Sequence, residues 1–205
     1  MRKTLFSGIA ACLLATAATA AEQSPSVIWT VGQADRSASE FALAPDRFRD
    51  FLANDFGYED KYFLVGHSVP AADFPYVLPG PADTWGGTWP TSGWRTHQVN
   101  ILFGLKEIPS DGTCTLVVDL LDYAKNFLPL VKVSVNTQDA KFQLDAPGLC
   151  VADQRKPNQM EKIVDTLSIT GNLAKATPRR LEIPFRPGVL KAGGNEVTIT
   201  VLEGS

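Results

Sequence analysis

The feature that most limits what this chain can fold into is a two-residue alternation of side chains that recurs along its second half. Val99, Ile101 and Phe103 alternate with Gln98, Asn100 and Leu102. Val131, Val133 and Val135 alternate with Lys132, Ser134 and Asn136, and Val197, Ile199 and Val201 with Thr198 and Thr200. In extended backbone successive side chains point to opposite faces, so this period gives a strand one apolar and one polar face. Wound as a helix, the same valines would be spread around the cylinder. Cys114, Leu116, Val118 and Leu120 keep the same phase within Thr113 to Leu121. Both faces of that segment are largely apolar, which predicts a central strand.

The punctuation between these runs agrees with strands. In Pro109-Ser110-Asp111-Gly112 the proline presets φ, and Asp and Gly accept the turn positions that follow. Asn136 to Asp139 turns the chain into Lys141 to Leu144, a hairpin pattern. Ser26 to Val31, Lys61 to Val65, Thr166 to Ile169 and Arg180 to Phe185 complete the set of strands, and Pro187 to Asn195 reads as a long turn. One helical pattern stands out: Pro45 at a first helical position, then Phe48, Phe51 and Leu52 at i, i+3, i+4. Residues 146–165 are polar and read as a surface loop with a helical turn near Met160 to Val164. Some eight short strands and one short helix predict an all-β domain, an antiparallel β-sandwich, with a jelly roll as the favoured version.

The N-terminus predicts export. Arg2 and Lys3 precede an apolar stretch from Leu5 to Ala18, and Ala18-Thr19-Ala20 supplies an A-x-A cleavage signal. Residues 1–21 are therefore expected to be a signal peptide and 22–205 one domain, secreted or periplasmic. Loss of Arg2 and Lys3 takes the formal net charge from −3 to −5. A mildly acidic chain without a run of Lys or Arg argues against nucleic acid and anionic membranes as partners. It also means that an acidic sugar must be met by a few local cations. In an oxidising compartment Cys114 and Cys150 invite a disulfide. Cys114 reads equally well as a small apolar residue on the inner face of its strand.

One stretch breaks the strand pattern. His67 to His97 holds both histidines, three of the four tryptophans (Trp85, Trp89, Trp94) and five of the fourteen prolines, with Gly86, Gly87 and Gly93 between the tryptophans. Proline and glycine at this density exclude a regular helix or a central strand, and a long loop in a compact domain is usually functional. Sugar rings present apolar C–H faces on which aromatic rings stack, while polar side chains bond the hydroxyls. Trp85, Trp89, Trp94, Tyr76 and Phe74 supply the first ingredient, and Asp83, Arg95, His97 and Gln98 the second. Arg95 suits a uronate carboxylate. The competing reading is that some of these rings plug one end of the sandwich.

Several segments, taken in order, resemble a known family. These are Trp29-Thr30-Val31-Gly32, Asp35 to Phe41, Asp46-Arg47-Phe48-Arg49 and Phe63-Leu64-Val65-Gly66, then Gly112-Thr113, Val133 to Asn136, Ile183-Pro184 and Gly194-Asn195. Together they look like the C-terminal domain of polysaccharide lyase family 4, the rhamnogalacturonan lyases. The resemblance implies a carbohydrate-binding-module-like jelly roll similar to galactose-binding domains, and a pectic polysaccharide as partner. It also implies a separate catalytic lyase domain, which nothing here resembles, so no catalytic residue carries over. Members of the family continue into one more strand after the segment matching Val197 to Val201. That implies either a longer protein or a partner filling the place.

Catalytic readings compete with this one. Lyase β-elimination needs a base at a sugar C5 proton and a cation for the carboxylate, and His67, His97, Lys61, Arg95 and Tyr76 are the residues available for it. Glycoside hydrolysis needs two facing carboxylates, and among Asp83, Asp119 and Asp122 spacing selects no pair. A structural Ca²⁺ would draw on Glu40, Asp35 and Asp60, though no D-x-D-x-D-G loop is present. The expectation is a non-catalytic polysaccharide-binding domain. The alternatives are an accessory lyase, or a structural module packed on a catalytic domain.

Overall fold

The computed structural model describes residues 26–43, 47, 50, 60–82, 97–124, 127–144 and 178–204. Seven strands form within them: β1 (Lys61–Leu64), β2 (Gln98–Leu105), β3 (Cys114–Leu120), β4 (Leu130–Val135), β5 (Gln138–Gln143), β6 (Arg179–Phe185) and β7 (Gly193–Glu203). Five of them build one sheet in the order β1-β2-β7-β4-β5, and β3 and β6 build a second. The result is an all-β sandwich.

The alternation dictates the packing. Val99, Ile101 and Phe103 of β2, Val131, Val133 and Val135 of β4, Val197 of β7 and Phe63 of β1 lie buried on the inner face of the large sheet. Leu181 and Ile183 of β6 meet them from the other sheet, with Cys114, Leu116, Val118 and Leu120 of β3 alongside. Each such valine, isoleucine or leucine contributes about 1.5–3 kcal/mol when fully removed from water.

Several expectations need correction. Among the described strands all pairings are antiparallel except β1 with β2, which run parallel, with Lys61 opposite Val99 and Leu64 opposite Leu102. Parallel neighbours need a long crossover, and the stretch from Val65 to His97 provides it. Strand β3 is not central among the described residues: it pairs only with β6, and Thr115, Val117 and Asp119 on its outer face are exposed. The apolar Val117 had made that face look buried. Ser26 to Thr30 form no strand. Val27 and Ile28 are exposed, while the Trp29 ring packs on Phe103 with centroids 5.3 Å apart. A single anchoring ring replaces strand pairing there. Within the proline-rich stretch, Pro70–Asp73 form a one-turn helix, a length that proline at the first position permits. The last strand begins at Gly193, inside the predicted long turn, and only Pro187–Val189 form a tight 3₁₀ turn.

Two small elements fasten one end of the sandwich. Asn136 has φ 50°, a left-handed conformation that asparagine tolerates better than most residues, and it closes the β4–β5 hairpin together with Thr137. Its Nδ2 donates to the Val189 carbonyl at 2.7 Å and to Asn195 Oδ1 at 2.9 Å, and its Oδ1 accepts from the Glu196 N–H at 3.0 Å. Asn195, 4% exposed, in turn accepts from the Lys191 N–H and donates to the carbonyls of Lys191 and Gly193. Gly32 has φ 76°, and a Cβ there would run into the Phe41 ring and the Glu40 carboxylate. Only glycine fits.

Among the described residues no helix is long and apolar enough to cross a membrane. The expected signal peptide, the body of the helix predicted after Pro45, the strand at Thr166 to Ile169, the loop at 146–165 and Cys150 lie outside the described residues.

Candidate functional site

Both feet of the aromatic segment 83–96 stand at one end of the large sheet. On the outgoing side Pro79 and Gly80 are buried. A Cβ on Gly80 would strike the Gly204 carbonyl and Val201, so the two glycines let backbone approach backbone. The Ala82 N–H then donates to the Gly204 carbonyl at 3.0 Å. On the returning side His97 leads into β2, where Gln98 lies opposite Thr200 of β7. The feet are thus four residues apart along β7, roughly 13 Å at the rise of a strand.

The same end gathers other chain segments. Asp60 Oδ1 accepts from the Gln98 N–H at 3.2 Å and ties the start of β1 to the returning foot. Gln143 Nε2 bridges the carbonyls of Leu128 and Pro129, and the Leu144 N–H bonds to Pro129.

The predicted site residues separate into three groups. Trp85, Trp89, Trp94, Asp83 and Arg95 lie outside the described residues. His97 is buried and Phe74 is half-buried against the core. His97 is 2% exposed at the foot itself, and the Phe74 ring is wedged between Phe41 (5.2 Å) and Phe63 (5.6 Å, edge-on). Phe74 thus packs on the core rather than serving as a ligand platform. Tyr76 is half-buried, and burial pushes its phenol up to about 12.

The histidines do not come together. His67 sits exposed in the turn after β1, where its N–H bonds to the Leu64 carbonyl. His97 precedes β2 at the opposite end of the same parallel pair. Several residues of strand separate them, on the order of 20 Å. They cannot serve one proton transfer. Asp119 faces its cross-strand partner Arg180 on the outer face of β3 and β6, with both carboxylate oxygens held at 3.0 and 3.1 Å. It is thus engaged as an ion-pair partner.

The three carboxylates named for calcium are occupied separately. Glu40 accepts from the Gln33 N–H, Asp35 from the Ser37 N–H, and Asp60 from Gln98. Among the described residues no three His, Cys, Asp or Glu side chains come together to hold a metal.

A pair that the sequence reading passed over lies on the outer face of the large sheet: Lys132 and Lys141, directly opposite each other on β4 and β5. The hairpin centre would have revealed it, since pairing Val135 with Gln138 necessarily pairs 132 with 141.

A comparison with family models matches residues 27–205 to the CBM-like domain III of polysaccharide lyase family 4. The chain belongs to this family. The match covers every described strand, from the Trp29 segment to the end of β7, in line with the sandwich seen here. No curated protein sequence matches the chain.

Proposed function

We propose that this chain is an exported, non-catalytic carbohydrate-binding domain that holds a pectic polysaccharide, of the rhamnogalacturonan type, for a lyase acting beside it. The observation that carries the reading is family membership in a CBM-like domain together with the rooting of segment 83–96 at one end of a rigid sandwich. A loop held at both feet by buried glycine and histidine positions offers Trp85, Trp89 and Trp94 a fixed base. Asp83 and Arg95 are the polar partners for hydroxyl and carboxylate groups, and Tyr76 lies where the stretch enters the loop. Rigid elements under an aromatic platform lower the ordering cost of binding.

Titration of rhamnogalacturonan oligosaccharides with tryptophan fluorescence tests this directly. Binding should shift or quench the emission, and Trp89→Ala should weaken it. Absence of binding to any plant polysaccharide on a glycan array would remove the reading. The lyase alternative predicts growth of unsaturated-product absorbance with added Ca²⁺; the positions of His67 and His97 lend it no support.

A structural role against a catalytic domain has one observation in its favour. Tyr62 (61% exposed) and Leu64 (44%) stand on the outer face of edge strand β1, with Val69 (57%) shortly after it. Exposed apolar groups of this kind mark contact surfaces.

A further inference from the structure

The outer face of the β4–β5 hairpin contains an arrangement that folding alone does not favour. Lys132 and Lys141 are direct cross-strand partners, and like charges so placed repel each other. Asp139, one pair along, relieves only part of this: its carboxylate meets Lys132 Nζ at 3.1 Å. The Asp139 carboxyl is held below its usual range by the Ser134 hydroxyl first and Lys132 second, with Lys141 adding its charge. Two lysines and Asp139 cluster here, with Glu203 further along the same face opposite Leu130, on a chain whose formal charge is −3. Lys141 is exposed on the edge strand. Around the lysines the face carries hydroxyl and amide groups: Thr200 lies opposite Lys132, Ser134 lies opposite Thr198 and Asp139, and Gln143, paired with Leu130, follows Lys141 along β5.

We propose that Lys132 and Lys141 form a second sugar-binding surface, which takes the carboxylate of an acidic sugar while neighbouring hydroxyl and amide groups meet its ring hydroxyls. The charge complementarity selects the occupant. A uronate carboxylate placed between two ammonium groups removes their repulsion and gains charge-assisted hydrogen bonds. A neutral sugar gains neither. This rests on the reading that the chain binds polysaccharide, but it uses a different surface from the loop. The acidic chain as a whole repels a polyanion, so a local cation pair is what an acidic polysaccharide requires.

The test titrates the full chain, by calorimetry, with an oligogalacturonate and with its fully methyl-esterified, neutral form. Lys141→Met and Lys132→Met keep the apolar stem and remove the charge. Each should weaken binding of the acidic ligand about tenfold, as expected for loss of one charge-assisted bond, and leave the ester's affinity unchanged. The thermal midpoint of Lys141→Met should equal or exceed that of the wild type, because an opposed like charge is gone. Acidic-ligand affinity unchanged in both variants overturns the proposal. Trp89→Ala separates the two surfaces: if it alters neither titration while the lysine variants remain selective, the loop reading fails and this one stands. A wild type that binds neither ligand overturns this proposal, while rhamnogalacturonan binding in the fluorescence titration would leave the loop reading standing.

Discussion

Replacing Asn195 by alanine should destabilise the domain more than any other single polar substitution on the described strands. Its side chain makes four hydrogen bonds: from the Lys191 N–H at 2.8 Å, to the Lys191 carbonyl at 2.8 Å, to the Gly193 carbonyl at 3.1 Å, and from Asn136 Nδ2 at 2.9 Å. Each such bond contributes about 1 kcal/mol net, so the full set is worth about 4 kcal/mol. Lys191 and Gly193 are themselves exposed, and water will replace part of what they lose. A loss of about 2–4 kcal/mol is therefore expected, with the larger share borne where Asn136 loses its partner. For a domain of this size that corresponds to a fall in thermal midpoint of roughly 5–15 °C by circular dichroism or calorimetry. The double variant Asn136→Ala/Asn195→Ala should cost less than the sum of the singles, because the two side chains share a bond. A fall smaller than about 2 °C for Asn195→Ala would refute the clamp argument.

Four further outcomes follow from the structure. Gly32→Ala should destabilise by more than about 1 kcal/mol in urea unfolding, since φ 76° is strained for alanine and Phe41 and Glu40 occupy the Cβ space. Tyr76 has a folded-state value of about 12 against an ordinary 10.0. Its burial therefore favours the folded state fully below pH 10, and that contribution is lost as pH rises from 10 to 12. Tyr76→Phe should flatten the difference in stability across this window in alkaline melts. Val133→Ala, at a site 1% exposed in the middle of the inner face, should cost on the order of 2 kcal/mol by chemical denaturation. Thiol titration of the denatured, unreduced mature protein decides the cysteine question: no reactive thiol means a Cys114–Cys150 disulfide, two mean a pair of separate thiols.

The valine alternations of β2, β4 and β7 were legible because a half-buried strand needs only local information: which side chain avoids water, and how often. The inner phase of Cys114 to Leu120 was legible for the same reason. The place of β3 in its sheet was not, because Val117 is as apolar as a core residue and its exposure depends on what packs opposite. The aromatic stretch read as one functional unit. In space, Phe74 leaves it to pack between Phe41 and the core ring of Phe63, His67 stays in a turn at the far end, and His97 is buried at the loop's foot. Residue type could not separate these fates, since an aromatic ring suits both a core and a sugar platform.

By itself the sequence determined that this chain forms strands with one wet and one dry face, that these make a sandwich, and that its pieces run in the order of a polysaccharide lyase family 4 domain. Period and order are local properties, carried by neighbours along the chain. Only the tertiary structure decided which strands touch. It set β1 parallel to β2, placed both feet of the tryptophan-bearing segment at one end of the large sheet, and joined Asn136 to Asn195 across 59 positions. Those contacts arise from closing the two sheets over one core. Closure brings distant residues together at a separation no local pattern encodes.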